Sequence, residues 1–287
     1  MTSNEAGILT FAFGAEYQRQ AYCQALTAKK FLGLPMSVVI PQDHATNLVM
    51  LKKLGEVANI IFIKGRWATF EYEQLALDLT PYELTYKTDA DVLFPRGAGL
   101  YHQGSLPASS GVATDVRGFV NQTSPYRTVE ASLGAPAIYS ACFAFNKRSP
   151  KAQEFFATVK DLYRDWFRLK LWERTEVPLQ PTTDTVYSIA WLKVFGLTRI
   201  DGNEFIHAKP EICGWTDAEW TKNNVLMVDD GGRMFLQGTR LTKPFHYYDK
   251  SLITDEFIGR LEDVCLVRTP TKPKRSRSKS SVHVPRV

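Results

Sequence analysis

The chain has 287 residues, of which 44% are hydrophobic and 12% aromatic, enough to build the core of one large domain or two small ones. No apolar run approaches the roughly 18 residues that a membrane-spanning helix requires, and residues 1–5 carry no basic segment that leads into an apolar one, so we predict no membrane partner, no secretory signal and a cytoplasmic location. The four cysteines are widely spaced and form no C-x-x-C pair, which argues against a zinc site and a disulfide framework.

The net charge of +5 is concentrated at the C-terminal end of the chain. Seven of the 35 basic residues and none of the 30 acidic ones lie from Arg268 onward, so the rest of the chain carries about −2. We therefore expect one domain over residues 1–266 and a disordered basic tail over residues 267–287. Such a tail is either a solvated end of the chain or an arm that holds a polyanion through its phosphates.

Strand-like and helix-like apolar patterns alternate over the first 95 residues. Strands are predicted at residues 7–14, 36–41, 60–63 and 84–93, and helices at residues 17–31, 47–57 and 70–79. This alternation favours right-handed crossovers and an α/β fold with a mostly parallel sheet covered by helices on both faces. Because ligands bind such sheets beyond the carboxyl ends of the strands, Gly14 and the segment around Asp89 are expected to face one crevice.

The second half of the chain is less regular. Residues 97–125 are rich in Gly, Ser and Pro and are predicted to form long loops, which are often functional inside a compact domain. A buried strand is predicted at residues 137–145, and helices from Ser149 onward and at residues 185–195. Beyond Gly196 we expect an irregular C-terminal part with short strands and a hairpin turn at residues 229–232.

Two carboxylates one residue apart, Asp89 and Asp91, follow a strand-like approach and precede an apolar exit. On an extended chain, residues i and i+2 point to the same side, so both could address one ion. Carboxylate oxygens are hard ligands that suit Mn²⁺ or Mg²⁺. An isolated D-x-D also occurs in solvated turns, but the strand-like flanks on both sides favour a metal site.

Three further polar residues are candidates for the same crevice. His246 and Lys250, separated by aromatic residues, could supply a metal ligand and a phosphate contact to a nucleoside diphosphate. Asp184 opens the helix predicted at residues 185–195. It is either the N-cap of that helix or an acid that points into the crevice.

With these parts in order, the chain resembles the GT-A glycosyltransferases, which have a Rossmann-like fold, and within them the retaining branch that includes glycogenin and a lipooligosaccharide galactosyltransferase. The strand ending at Gly14 resembles the element that holds the nucleotide base. The segment from Thr88 to Asp91 resembles the D-x-D motif, and His246 with Lys250 resembles the histidine and lysine that complete the metal and phosphate contacts. In that branch the spacing between histidine and lysine is longer, and a glycine intervenes.

The resemblance implies a transferase that moves a hexosyl or pentosyl group from a nucleoside diphosphate sugar, with a UDP-sugar favoured, to an acceptor hydroxyl. It implies Mn²⁺ or Mg²⁺ held by Asp89, Asp91 and His246. It also places Asp184 where such enzymes carry an acidic residue near the acceptor, as the catalytic candidate. The residues expected to bind the sugar nucleotide are Phe11, Ala12, Phe13, Gly14, Tyr17, Lys87, Asp89 and Lys250.

The acceptor suggested by the overall character of the chain and its basic tail is a hydroxylated pyrimidine base in DNA. A compact glycosyltransferase with such a tail is similar to bacteriophage enzymes that glycosylate their own DNA, which implies a DNA partner and the host-cell cytoplasm as location. A protein or a glycan is the alternative acceptor. Two other classes stay open: a nucleotidyltransferase, against which the sequence Ala15-Glu16-Tyr17 after Gly14 counts, and a non-catalytic nucleic-acid-binding protein, against which the acidic body counts.

Overall fold

The computed structural model describes residues 4–64, 69–100, 112–115, 138–170, 181–196, 206–208, 225–247 and 249–266. Its strands are β1 (Asn4–Phe11), β2 (Met36–Pro41), β3 (Asn59–Ile63), β4 (Tyr82–Asp89), β5 (Val92–Leu93), β6 (Val112–Asp115), β7 (Tyr139–Asn146), β8 (Ile206–Ala208), β9 (Leu226–Val228), β10 (Met234–Leu236), β11 (Thr239–Leu241) and β12 (Phe245–Tyr247). Its α-helices are α1 (Gly14–Thr27), α2 (Leu48–Val57), α3 (Ala76–Leu79), α4 (Pro150–Leu169), α5 (Thr183–Phe195) and α6 (Asp255–Leu266).

A six-stranded sheet in the order β3-β2-β1-β4-β7-β6 forms the centre. The first four strands in this order are parallel, whereas β7 runs antiparallel to β4 and β6 antiparallel to β7. The predicted α/β class with a mainly parallel sheet is therefore confirmed. The parallel pairing of β1 with β4 brings their carboxyl ends, Phe11 and Asp89, side by side at one edge of the sheet.

Residues that alternate along the strands face two separate apolar layers. Ile8, Val38 and Tyr86 point to a layer that contains residues of α1, α2 and α6. Their neighbours Leu9 and Val39 point to the opposite layer, which contains residues of α4 and α5. Both faces of the sheet are thus covered, as parallel sheets require.

The segment predicted as one strand over residues 84–93 is two strands. β4 ends at Asp89, the chain turns at Ala90 and Asp91, and β5 leaves the central sheet to pair with β12. The apolar residues after the turn follow a strand pattern because β5 is buried in a second sheet, so periodicity along the sequence does not reveal the break. Residues 70–79 also differ from the prediction, since a 3₁₀ helix (Thr69–Leu75) precedes the single turn of α3.

The described C-terminal part contains short strands, as predicted, and ends in α6, a helix that the sequence analysis did not predict. β9, β10 and β11 form an antiparallel meander, and the turn between β9 and β10 contains residues 229–232, with Gly232 at a φ of +77°. A strand, β6, lies within the segment predicted as long loops, most of which falls outside the described residues. The basic tail at residues 267–287 also lies outside them. No helix in the described part of the chain has the length and apolar character needed to cross a membrane.

Gly7 in β1 lies directly against the ring of Tyr82 in β4. A Cβ at position 7 would come within 2.5 Å of three ring atoms of Tyr82. The ring cannot retreat easily, because it is buried and its hydroxyl forms a 2.9 Å hydrogen bond with Ser37 Oγ.

We therefore expect Gly7→Ala to lower the free energy of unfolding by about 1–3 kcal/mol, the usual cost of overpacking, measured by urea denaturation. Gly55→Ala in α2 is the control, because its nearest neighbour is a methyl carbon of Ile60 at 3.8 Å. That variant should gain up to about 1 kcal/mol from helix propensity. Equal stabilities of the two variants would contradict the close β1–β4 contact.

Candidate metal centre

The turn after β4 and the pairing of β5 with β12 assemble the site. β5 and β12 are antiparallel, with His246 opposite Val92, and the backbone N–H of Tyr247 donates to the carbonyl of Asp91 at 3.1 Å. His246, which lies far along the chain, is thereby placed next to the end of β4.

The side chains of Asp89, Asp91 and His246 converge. His246 Nε2 lies 3.1 Å from Asp91 Oδ1 and 3.8 Å from Asp89 Oδ2, and one ligand atom from each residue lies within 4.8 Å of the others. Asp91 and His246 are buried, whereas the side chain of Asp89 is 31% exposed. The two carboxylates offer the oxygen ligands that suit Mn²⁺ or Mg²⁺, and the imidazole adds a nitrogen ligand. The group could therefore bind a metal.

Asp91 also contacts Lys250. The ammonium of Lys250 donates to Asp91 Oδ2 and lies 5.3 Å from the ring centre of Tyr17 in the first turn of α1. Burial raises the pKa of Asp91, but the electrostatic interactions and hydrogen bonds with His246 and Lys250 lower it by more, so the net pKa is well below the usual range. Asp91 is consequently anionic, which is the form that binds a cation.

Lys87, predicted to bind the sugar nucleotide, is placed within the protein. Its side chain is only 1% exposed, and its ammonium lies 2.6 Å from Glu73 Oε2, 3.3 Å from Asp89 Oδ1 and 2.9 Å from the carbonyl oxygen of Ser140. Burial lowers the pKa of Lys87, but Glu73 and Asp89 raise it above its ordinary value. Lys87 is therefore a buried cation enclosed by acceptors of the protein itself.

Sequence reasoning missed the hydrogen bonds that hold the backbone at the end of β4. The side-chain amide of Gln24 in α1 donates to the carbonyl of Asp89 at 2.7 Å and to Thr88 Oγ1 at 3.1 Å. The hydroxyl of Thr10 in β1 donates to Gln24 Oε1 at 2.6 Å. The side chains of Thr10, Gln24 and Thr88 are fully buried. The available signal was a glutamine between two apolar residues, Cys23 and Ala25, within the helix predicted at residues 17–31.

The end of β1 lies beside this site. Phe11 and Ala12 have buried side chains, so only their backbones are available to a ligand. The ring of Phe13 packs against Tyr72, with ring centres 5.6 Å apart. Gly14 begins α1 at a φ of +86°. Among the described residues, no atom beyond its chain neighbours and its own helix backbone lies within 4 Å of where its Cβ would be, so a ligand could approach the backbone closely there.

Asp184 is not the N-cap of α5. Thr182 is, because its hydroxyl accepts from the backbone N–H of Thr185. Asp184 lies in the first turn of the helix, where its Oδ1 accepts a 2.7 Å hydrogen bond from the backbone N–H of Ser140. The carbonyl of Ser140 accepts a hydrogen bond from Lys87, which in turn contacts Asp89. Asp184 is therefore connected to Asp89 through Ser140 and Lys87. A catalytic role for Asp184 stays a prediction.

No protein-family model matches the chain, and no curated protein sequence matches it. Solved structures do. The structure of the galactosyltransferase LgtC in complex with donor and acceptor sugar analogues is similar over 92% of this chain and 98% of its own, with 11% identity and a TM-score of 0.54. An active-site mutant of LgtC gives a TM-score of 0.51 over 85% and 87% of the two chains, also at 11% identity. This similarity shows that the chain has the GT-A fold.

Removing the amide of Gln24 should destabilise the protein. We expect Gln24→Leu to lower the free energy of unfolding by about 1–3 kcal/mol, because the part-buried carbonyl of Asp89 and the buried hydroxyl of Thr88 lose their donor, as measured by urea denaturation. Gln153→Leu is the control. Its amide donates to the carbonyl of Lys147 at an exposed position, so its stability should change by no more than about 0.5 kcal/mol. Equal changes would contradict the assigned role of Gln24.

Proposed function

We propose that this protein is a metal-dependent glycosyltransferase that moves a sugar from a nucleoside diphosphate sugar to an acceptor hydroxyl. The observation that supports this is the convergence of Asp89, Asp91 and His246 at the carboxyl end of β4, within a fold shared with a galactosyltransferase. Ligands bind α/β sheets at this edge.

Asp89, Asp91 and His246 would hold the metal, with Mn²⁺ and Mg²⁺ as the favoured ions. A divalent ion supplies positive charge that stabilises a departing diphosphate. Lys250, the cation next to Asp91 and Tyr17, would add a further contact to the phosphates. The open backbone at Gly14 and the half-exposed ring of Tyr17 would contact the rest of the nucleotide, for which we favour UDP.

The transfer step depends on holding the acceptor hydroxyl close to the reacting sugar carbon, which gains oxocarbenium character as its bond to the diphosphate breaks. Asp184 is the proposed residue for orienting the acceptor or stabilising this charge. We propose retention of configuration, in which the acceptor attacks from the departing side and no strong base is required. The anomeric form of the product, determined by NMR, tests this assignment.

The proposed acceptor is a hydroxylated pyrimidine base in DNA, such as a phage-encoded enzyme modifies. The support for it is the basic tail from Arg268 onward, with seven cations and no acid, on an otherwise slightly acidic chain. Such a tail would bind phosphates without regard to sequence and keep the acceptor close.

A donor screen tests the central proposal. The wild-type protein is incubated with Mn²⁺ and a panel of sugar nucleotides, and release of nucleoside diphosphate is followed. Release is expected from one donor, and Asp91→Ala should reduce it by about 10²-fold or more, since catalytic metal sites tolerate ligand loss poorly. Asp78→Ala is the control, because that carboxylate pairs with Lys160 on the surface. No release from any donor, or equal release by Asp91→Ala, would refute the proposal.

Deletion of residues 268–287 tests the acceptor. We expect transfer to DNA containing hydroxymethylated pyrimidines to fall and its salt dependence to weaken, because fewer counterions are released on binding. Hydrolysis of the donor without an acceptor should stay at the wild-type rate. Transfer to a protein or glycan acceptor but not to DNA would replace DNA as the acceptor and leave the metal-dependent transfer intact.

A further inference from the structure

The ammonium of Lys87 is surrounded by protein oxygens. A lysine carries three N–H donors, and the acceptors around Lys87 are Glu73 Oε2, Asp89 Oδ1 and the carbonyl of Ser140. With its side chain 1% exposed, Lys87 would have to give up one of these contacts to reach a substrate. In this structure, the ammonium of Lys87 therefore binds other groups of the protein.

The two oxygens of the Asp89 carboxylate have different neighbours. Oδ1 faces the ammonium of Lys87 at 3.3 Å, whereas Oδ2 is the oxygen nearer His246, at 3.8 Å. One oxygen is thus anchored from the interior, and the other is directed towards the candidate metal ligands. Anchoring of this kind matters for Asp89, because its side chain is the most exposed of the three candidate ligands.

Glu73 is the counter-charge of Lys87. It lies on the 3₁₀ helix (Thr69–Leu75) and also forms a side-chain hydrogen bond with Thr183 at the start of α5. Ser140 extends the same arrangement, because its carbonyl accepts from Lys87 and its N–H donates to Asp184. The Lys87 ammonium therefore contacts β4, β7 and the 3₁₀ helix, and through Glu73 and Ser140 it is connected to the first turn of α5.

Stability alone does not explain this buried pair. Replacing a buried ion pair with apolar residues of similar volume is often neutral or stabilising, and the surrounding layer is rich in aromatic and aliphatic side chains. We propose that Lys87 is a positioning residue, balanced by Glu73, that fixes the Asp89 carboxylate in its metal-binding orientation and sets Asp184 relative to it. This inference rests on the proposed function, since it assigns Asp89 and Asp184 to that site.

The test compares Lys87→Met, Glu73→Gln and the double variant. Lys87→Met leaves Glu73 buried without its counter-charge, so it should lose stability, whereas the double variant removes both charges and should recover most of that stability in urea denaturation. The affinity for Mn²⁺, measured by calorimetry with and without UDP, distinguishes a positioning role of Lys87 from a purely structural one. We expect it to be about 10–100-fold weaker in the double variant, the usual effect of losing a group that orients a ligand, and within a few-fold of wild type in Glu73→Gln.

A kinetic measurement gives a second readout that a purely structural role would not change. Raising the Mn²⁺ concentration should recover much of the turnover lost by the double variant. A folded double variant with wild-type Mn²⁺ affinity would overturn the proposal. If the double variant does not fold, Lys87→Arg decides: it keeps the charge with another shape, so weaker Mn²⁺ binding supports positioning and unchanged binding overturns it.

The wild-type protein distinguishes failure of this inference from failure of the proposed function. If the wild type binds no Mn²⁺, the metal-dependent function fails and the inference fails with it. If the wild type binds Mn²⁺ but releases no nucleoside diphosphate from any donor, the transferase proposal fails, and the comparison of Mn²⁺ affinities still tests positioning. If the wild type is active and the variants bind Mn²⁺ equally well, only the inference fails.

Discussion

The antiparallel pairing of β5 with β12 is the constraint on which the candidate site depends. The central sheet delivers Asp89 to an edge beside the end of β1, but the third candidate ligand, His246, lies outside that sheet. That ligand arrives because the chain turns at Ala90, leaves the sheet and pairs with a strand more than 150 residues later. The same pairing buries Val92 and Phe245, so apolar burial stabilises the contact that brings a histidine beside two carboxylates.

Charge is arranged in two layers around the end of β4. The outer layer contains Asp91, His246 and Lys250, and the inner layer contains Lys87 and Glu73, with Asp89 in contact with both. Each buried carboxylate has a cation within ion-pair distance, which is the condition under which charges are tolerated in a protein interior. The inner layer is closed by protein groups, whereas the outer layer borders the exposed side of Asp89. The accessible side of Asp89 is therefore the one next to the outer layer.

The fold was largely predictable from the sequence, because its signals are local. Alternating strands and helices, the turn residues at 229–232 and the proline after Ser149 each depend on near neighbours, and the mainly parallel sheet follows from them. The candidate ligands were picked out as well, the carboxylates by their spacing, and His246 by its spacing from Lys250 and by resemblance. The polar residues that hold the site, Gln24 and Glu73, were not found. Each lies in a helical segment where a polar residue normally faces water, and its partners are distant in the sequence.

The short strand β12 is a vulnerable part of this arrangement. Side chains alternate between the two faces of a strand, so a shift of the β5–β12 pairing by one residue would replace His246 with the ring of Phe245 or Tyr247. The segment between β11 and β12, residues 242–244, includes none of the three candidate metal ligands, yet its length affects that register. An insertion or deletion there would be expected to separate His246 from the two carboxylates without removing any of the three residues, so the candidate site depends on a loop that contributes no ligand to it.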